Sequence, residues 1–105
     1  MDRLLLGADL GGTKGLLGLF AKGAARPVLQ LRYACADFDG FDGMLARFLG
    51  DAAQRLGGDA ARPGAACIGL AGPVAGGRAR MTNLPWTLEA AALRRRFGPG
   101  AVRLG

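Results

Sequence analysis

Arg3 to Asp9 is apolar apart from its two ends, which predicts a buried β-strand that stops where Asp9 meets a pair of glycines. Leu16 to Phe20 is a second apolar run, close enough to the first to pair with it antiparallel across Gly11, Gly12 and Thr13. Val28 to Ala34 alternates, with Leu29, Leu31 and Tyr33 on one face and Gln30 and Arg32 on the other, as a strand with one face in water does. A three-strand meander is therefore expected.

From Phe41 the period changes. Phe41, Met44, Leu45, Phe48, Leu49, Ala52 and Leu56 recur at helical spacing and draw one apolar stripe, so a helix is expected, with Asp39 as its N-cap and Gly57-Gly58 as its stop. A polar, proline-containing connection from Gly58 to Gly64 leads into Ala65 to Ala71, a buried strand expected to return parallel to the first. Gly72 to Thr82 is rich in turn residues and predicts a small hairpin around Gly76-Gly77. Thr87 reads as the cap of a second helix, with Glu89 in its first turn and Arg94 to Arg96 in its last, charges that suit the helix dipole. Gly98, Pro99 and Gly100 end that helix, and Ala101 to Leu104 opens another strand.

Composition narrows the class of protein. The chain has 105 residues, half of them hydrophobic and 21% charged, which suits one small domain. No apolar run approaches the roughly 20 residues that a membrane span needs. The N-terminus lacks the basic leader and cleavage pattern of a signal peptide, so no membrane partner is expected and the compartment is the cytoplasm. There is no histidine, so the two cysteines, Cys35 and Cys67, build no common zinc site and are expected to be buried, reduced thiols. The net charge of +6 invites a nucleic-acid partner, but the cations are scattered or gathered at Arg94 to Arg96 without interleaved aromatics, and none is expected.

Two stretches carry candidate chemistry. In "ADLGGTKGLLGLF", Ala8 to Phe20, a tight turn between strands points several N–H groups into one concavity, and glycines let a phosphate approach without meeting a Cβ. Thr13 adds a hydroxyl, Lys14 a positive charge, and Asp9 a carboxylate able to hold Mg2+ through water. The other reading is a plain hairpin turn capped by Asp9. The stretch is neither a GxxxxGK[ST] loop nor a GxGxxG fingerprint. In "LAGPVAGGRARMTNLPW", Leu70 to Trp86, Asn83 can donate to and accept from sugar hydroxyls on a loop stiffened by Pro85 and Trp86. The alternative there is a turn held by the Asn83 amide, with Trp86 packed in the core.

Taken together, "DLGGTK" at Asp9–Lys14, "GLAGPV" at Gly69–Val74 and "TNLPW" at Thr82–Trp86, in that order and spacing, closely resemble bacterial glucokinases of the hexokinase and actin-like superfamily. The resemblance implies an α/β, ribonuclease H-like N-terminal domain. Its β-meander is followed by a βαβαβ order in a mixed five-stranded sheet, incomplete at the C-terminus, with residues 1–105 forming part of a small lobe. It implies ATP and Mg2+ at a phosphate-binding segment of Ala8, Asp9, Leu10, Gly11, Gly12 and Thr13, with Asp9 reaching the metal through water, and glucose at Asn83. The reaction is transfer of the γ-phosphoryl group to the sugar 6-hydroxyl, the first step of glycolysis, by a homodimer when full length. Lys14 departs from the Asn that commonly follows the threonine in glucokinases and is closer to the related repressor and sugar-kinase family. The catalytic base, an Asp after an Asn, is expected just past Gly105, so this chain holds no residue for that role. A sugar-sensing regulator is the competing class, but only eight residues precede Asp9, too few for a DNA-binding helix-turn-helix. Another hexose kinase of the repressor and sugar-kinase family and a non-catalytic fragment are the further alternatives.

Overall fold

The computed structural model describes residues 3–70, 74–81, 84–97 and 102–105. The meander is present as β1 (Leu5–Leu10), β2 (Lys14–Phe20) and β3 (Leu29–Ala34), each antiparallel to the one before. α1 (Phe41–Leu56) carries the chain back to β4 (Ala65–Leu70), which lies parallel to β1 on its other side, with Leu5 opposite Ala65 and Asp9 opposite Gly69. β5 (Val74–Ala75), β6 (Arg78–Arg80) and β7 (Thr87–Glu89) form a separate three-stranded antiparallel sheet. α2 (Ala90–Phe97) then leads to β8 (Val102–Leu104), parallel to β4, and completes a mixed five-stranded sheet of order β3-β2-β1-β4-β8.

The core lies between one face of this sheet and α1. Leu6, Ala8 and Leu10 of β1, Leu17 and Leu19 of β2 and Ile68 of β4 are buried against Phe41, Met44, Leu45, Phe48, Leu49 and Ala52 of the helix. The period-two and period-3.6 stripes read from the sequence meet here. Leu88, Leu93 and Phe97 join the same cluster.

Two glycine turns are governed by backbone conformation. Gly57, at φ 102°, follows α1 and donates its N–H to the Ala53 carbonyl at 2.9 Å, the expected stop. Gly76 and Gly77, at φ 60° and 75°, make the tight turn between β5 and β6 at the predicted hairpin.

Several expectations are corrected. The residue flanking α1 is Gly40, in extended conformation and without a side-chain cap, so Asp39 stands one position too early to serve. Thr87 to Glu89 is not the start of a helix but β7: Glu89 pairs across to Arg78, whose guanidinium donates to its carboxylate at 2.8 Å. The second helix begins at Ala90 and has no acidic residue in its first turn, although Arg94 to Arg96 do occupy its last. Cys35 is buried as expected, but Cys67 is exposed, because it lies in register with Gly7 on the sheet face away from α1. The connection after α1 contains a 3-10 turn, Gly58–Ala61. Ala71 and Ala101, at the ends of two predicted strands, and Gly98, Pro99 and Gly100 lie outside the described residues.

Candidate functional site

β1, β3 and β4 run in the same direction and end on the same side of the five-stranded sheet, where the β1–β2 turn, the start of α1 and the small sheet follow them in the chain.

Asp9 is the penultimate residue of β1 and pairs with Leu16 and Gly69. Strand alternation puts its exposed side chain on the face opposite α1, while the neighbouring Ala8 and Leu10 side chains are buried in the core at 8% and 1% exposure. Ala8 and Leu10 therefore offer only backbone to a ligand and otherwise anchor the turn. Gly69 presents no side chain beside Asp9, and a Cβ there would meet only ordinary contacts, at 3.5 Å from the Gly105 carbonyl. The bare strand next to the carboxylate is thus not required by packing.

The turn itself comprises Gly11, Gly12 and Thr13. The Gly11 N–H donates to the Lys14 carbonyl at 2.9 Å and closes the hairpin. Among the described residues, the N–H groups of Gly12 and Thr13 donate to no backbone carbonyl. Both belong to the exposed end of a hairpin, where Thr13 and Lys14 are open to solvent. Neither glycine has the left-handed φ that the hairpin and helix-stop glycines use. At Gly11 an added Cβ would lie 3.4 Å from the Lys14 carbonyl, an ordinary contact. Gly15 differs: a Cβ there would come within 2.5 Å of the Met44 sulfur, so that glycine serves the core. Neither conformation nor internal packing therefore demands a glycine at Gly11.

The second candidate, Asn83, lies outside the described residues, as does Thr82. Met81 before them and Leu84 to Trp86 after them are described. Trp86 is buried at 4% exposure in the main core, as the packing alternative held, and its carbonyl accepts from the Met81 N–H at 3.0 Å, which brings Met81 and Trp86 together. Of "GLAGPV", Ala71, Gly72 and Pro73 are outside the description and Val74 is exposed in β5.

Two features escaped the sequence. The first is a cleft of about 740 Å3 between the start of α1 and the Pro85–Leu93 segment, floored by Trp86 and Leu93 and rimmed by Asp37, Asp39, Asp42 and Glu89. Carboxylates converge there from two separated segments, a grouping that no local pattern announces. Such a rim repels a polyphosphate. The second is the attachment of the β1–β2 turn to the residue after β3: the Cys35 N–H donates to the Thr13 carbonyl at 2.8 Å and the Cys35 thiol lies 3.6 Å from the Gly11 carbonyl. Among the described residues, no three His, Cys, Asp or Glu side chains gather as a metal site. A single carboxylate with room for water around it is the kind of ligand that Mg2+, which keeps much of its hydration shell, accepts.

Strand order and crossover define the class of fold: a ribonuclease H-like domain of the actin-like ATPase type. Solved structures agree. A glucokinase from an Antarctic psychrotroph superposes with a TM-score of 0.81 at 22% identity, covering 99% of this chain and 32% of its own. A Leishmania braziliensis glucokinase gives 0.68 at 20% identity over 99% of this chain and 30% of its own. The glucokinase family model matches residues 6–104, and the chain belongs to that family. Curated glucokinases from Saccharophagus degradans and Synechocystis are 38% and 34% identical over 87% and 94% of this chain. The matches span 27% and 30% of those relatives' lengths. Among the described residues no helix is long and apolar enough to cross a membrane.

Proposed function

We propose that this chain is the N-terminal part of the small lobe of a cytoplasmic, ATP-dependent glucokinase, which transfers the γ-phosphoryl group of ATP to the 6-hydroxyl of glucose. The observation that carries this reading is the pair of amides at Gly12 and Thr13, which donate to no backbone carbonyl among the described residues, at the exposed end of a hairpin where packing does not require the glycine at Gly11.

Phosphoryl transfer asks a protein chiefly for positioning and neutralisation of charge. The Gly12 and Thr13 amides and the Thr13 hydroxyl bind phosphate oxygens, and Lys14 attracts the polyanion. Asp9 holds Mg2+ through the ion's water shell, and the ion when bound neutralises charge on the phosphate oxygens. Asn83 binds sugar hydroxyls, three residues before the buried Trp86. None of residues 1–105 is assigned the proton of the reacting hydroxyl; in this reading an Asp following Gly105 in the complete protein takes it.

The test uses the complete protein and a glucose-dependent assay of ADP formation. Asp9→Ala is expected to lower kcat by about 100-fold or more, as loss of one electrostatic group at a developing charge does, with the KM for glucose changed by no more than about threefold. Asn83→Ala is expected to do the reverse, raising the glucose KM about tenfold with a smaller change in kcat. Equal losses in both parameters for Asp9→Ala would reduce that residue to a structural role.

A further inference from the structure

A turn that binds phosphate through backbone amides must keep its peptide planes fixed while the ligand is absent. Glycine-flanked peptides resist rotation least, since neither neighbour has a Cβ to hinder φ or ψ. The Gly11–Gly12 peptide is of this kind, and one residue from another element holds it.

Cys35 directly follows β3 and opens the 3-10 turn Cys35–Asp37 that leads toward α1. It is 1% exposed and packed in the main core. Its backbone N–H donates to the Thr13 carbonyl at 2.8 Å, and its thiol donates to the Gly11 carbonyl at 3.6 Å, within reach for sulfur. One buried residue therefore grips the turn on both sides of Gly12. Burial pushes the thiol's pKa up, so it stays protonated and able to donate at neutral pH.

The consequence follows from the planarity of the peptide bond. In a trans peptide the C=O and the following N–H point in opposite directions. The Gly11 carbonyl is drawn toward the buried sulfur, so the N–H of Gly12 is turned the other way, away from the core that Cys35 belongs to. The Gly12 amide, like that of Thr13 in the same turn, donates to no backbone carbonyl among the described residues.

We propose that Cys35 is a positioning residue for nucleotide binding: its thiol, hydrogen-bonded to the Gly11 carbonyl, sets the plane of the Gly11–Gly12 peptide and so aims the Gly12 N–H at a phosphate oxygen. The inference rests on the reading of this turn as the phosphate site. It concerns a side chain that touches no ligand and acts only through the backbone.

The experiment is calorimetric titration of the complete protein with Mg·ATP, together with the KM values for ATP and glucose and the melting temperature. Cys35→Ala and Cys35→Val both remove the donor, Ala leaving a small void and Val slightly overfilling the site, so that one of the two reports even if the other does not fold. Each is expected to weaken ATP binding about fivefold, the effect of one modest hydrogen bond, while the glucose KM stays within about twofold. Cys35→Ser, which restores a donor, is expected to recover most of the ATP affinity. Unchanged ATP affinity in the Ala or Val variant, or a loss for ATP and glucose alike in step with melting temperature, overturns the proposal and leaves Cys35 a core residue. Gly12→Val, titrated in parallel, separates the two levels. If it binds ATP normally, the phosphate reading of the turn fails; if it loses ATP while Cys35→Ala and Cys35→Val do not, only the role of Cys35 fails.

Discussion

Tyr33 shows how a single side chain ties a strand to its helix. It stands on the β3 face that looks toward α1, edge-on to Phe38 and Phe48 at ring separations of 6.0 and 6.4 Å, and its hydroxyl donates to Asp51 at 2.6 Å. Arg47, one helical turn before Asp51, approaches the same carboxylate at 3.4 Å, but its own side chain is largely exposed and adds little. Burial first, and the Asp51 carboxylate second, push the Tyr33 hydroxyl well above its ordinary value of 10.0. The folded state thus holds this proton more tightly than the unfolded chain does. The stabilisation is complete below about pH 10 and is lost as pH rises through the folded value. Tyr33→Phe is expected to cost about 1 kcal/mol at neutral pH and to make the alkaline decline of stability shallower than in the parent, as read from urea midpoints between pH 7 and 11. The alternation of Leu29, Leu31 and Tyr33 announced this inward face. The partner Asp51 was not legible, because a helix's polar face does not say which of its groups will meet a neighbouring strand.

At the level of elements, legibility followed length. The six- and seven-residue strands and the sixteen-residue helix, each long enough for several repeats of its period, are where the pattern placed them, within a residue or two. Thr87-Leu88-Glu89 is too short to distinguish a first helical turn from a strand, and tertiary pairing with β6 settles it. The cap of α1 shows a related limit. Asp39 is a good capping residue by type, yet the boundary falls at Gly40, whose extended φ of −171° any residue adopts. A Cβ on Gly40 would meet nothing within 4 Å. Gly40→Ser is therefore expected to supply the missing cap and to restrict the unfolded chain, raising stability by about 0.5–1 kcal/mol, seen as a higher melting temperature with nucleotide affinity unchanged. The glycine turn at the site was readable as a motif, but its tether to Cys35 was not: the two are joined only once β3 has folded back along β2.

Across the whole molecule, the five-stranded sheet is covered unequally. α1 packs on one face, whereas Leu5, Gly7 and Cys67 look out from the other, and Leu5 and Cys67 are exposed. The nearly continuous apolar run of β4 reads as a strand buried on both sides. The described residues bury only one, which is why no local pattern announces that Cys67 is open. An exposed Cys67 and a buried Cys35 predict two clearly separated reactivities toward a thiol reagent in the folded 105-residue chain, one group reacting quickly and the other only on unfolding. Simultaneous reaction of both would show that the region around Cys35 does not hold together. Cys67→Ser identifies the fast group.

The parallel ladder between β1 and β4 also imposes a schedule on synthesis. Leu5 cannot meet Ala65 until the intervening meander and helix have left the ribosome. At about 5–20 residues per second this is a delay of roughly 3 to 12 s. During that interval the first strand is flanked on one side only, and its other backbone edge is available to any extended chain nearby. The nascent protein is therefore most vulnerable to wrong pairing, and most in need of a chaperone's shelter, before its fourth strand arrives.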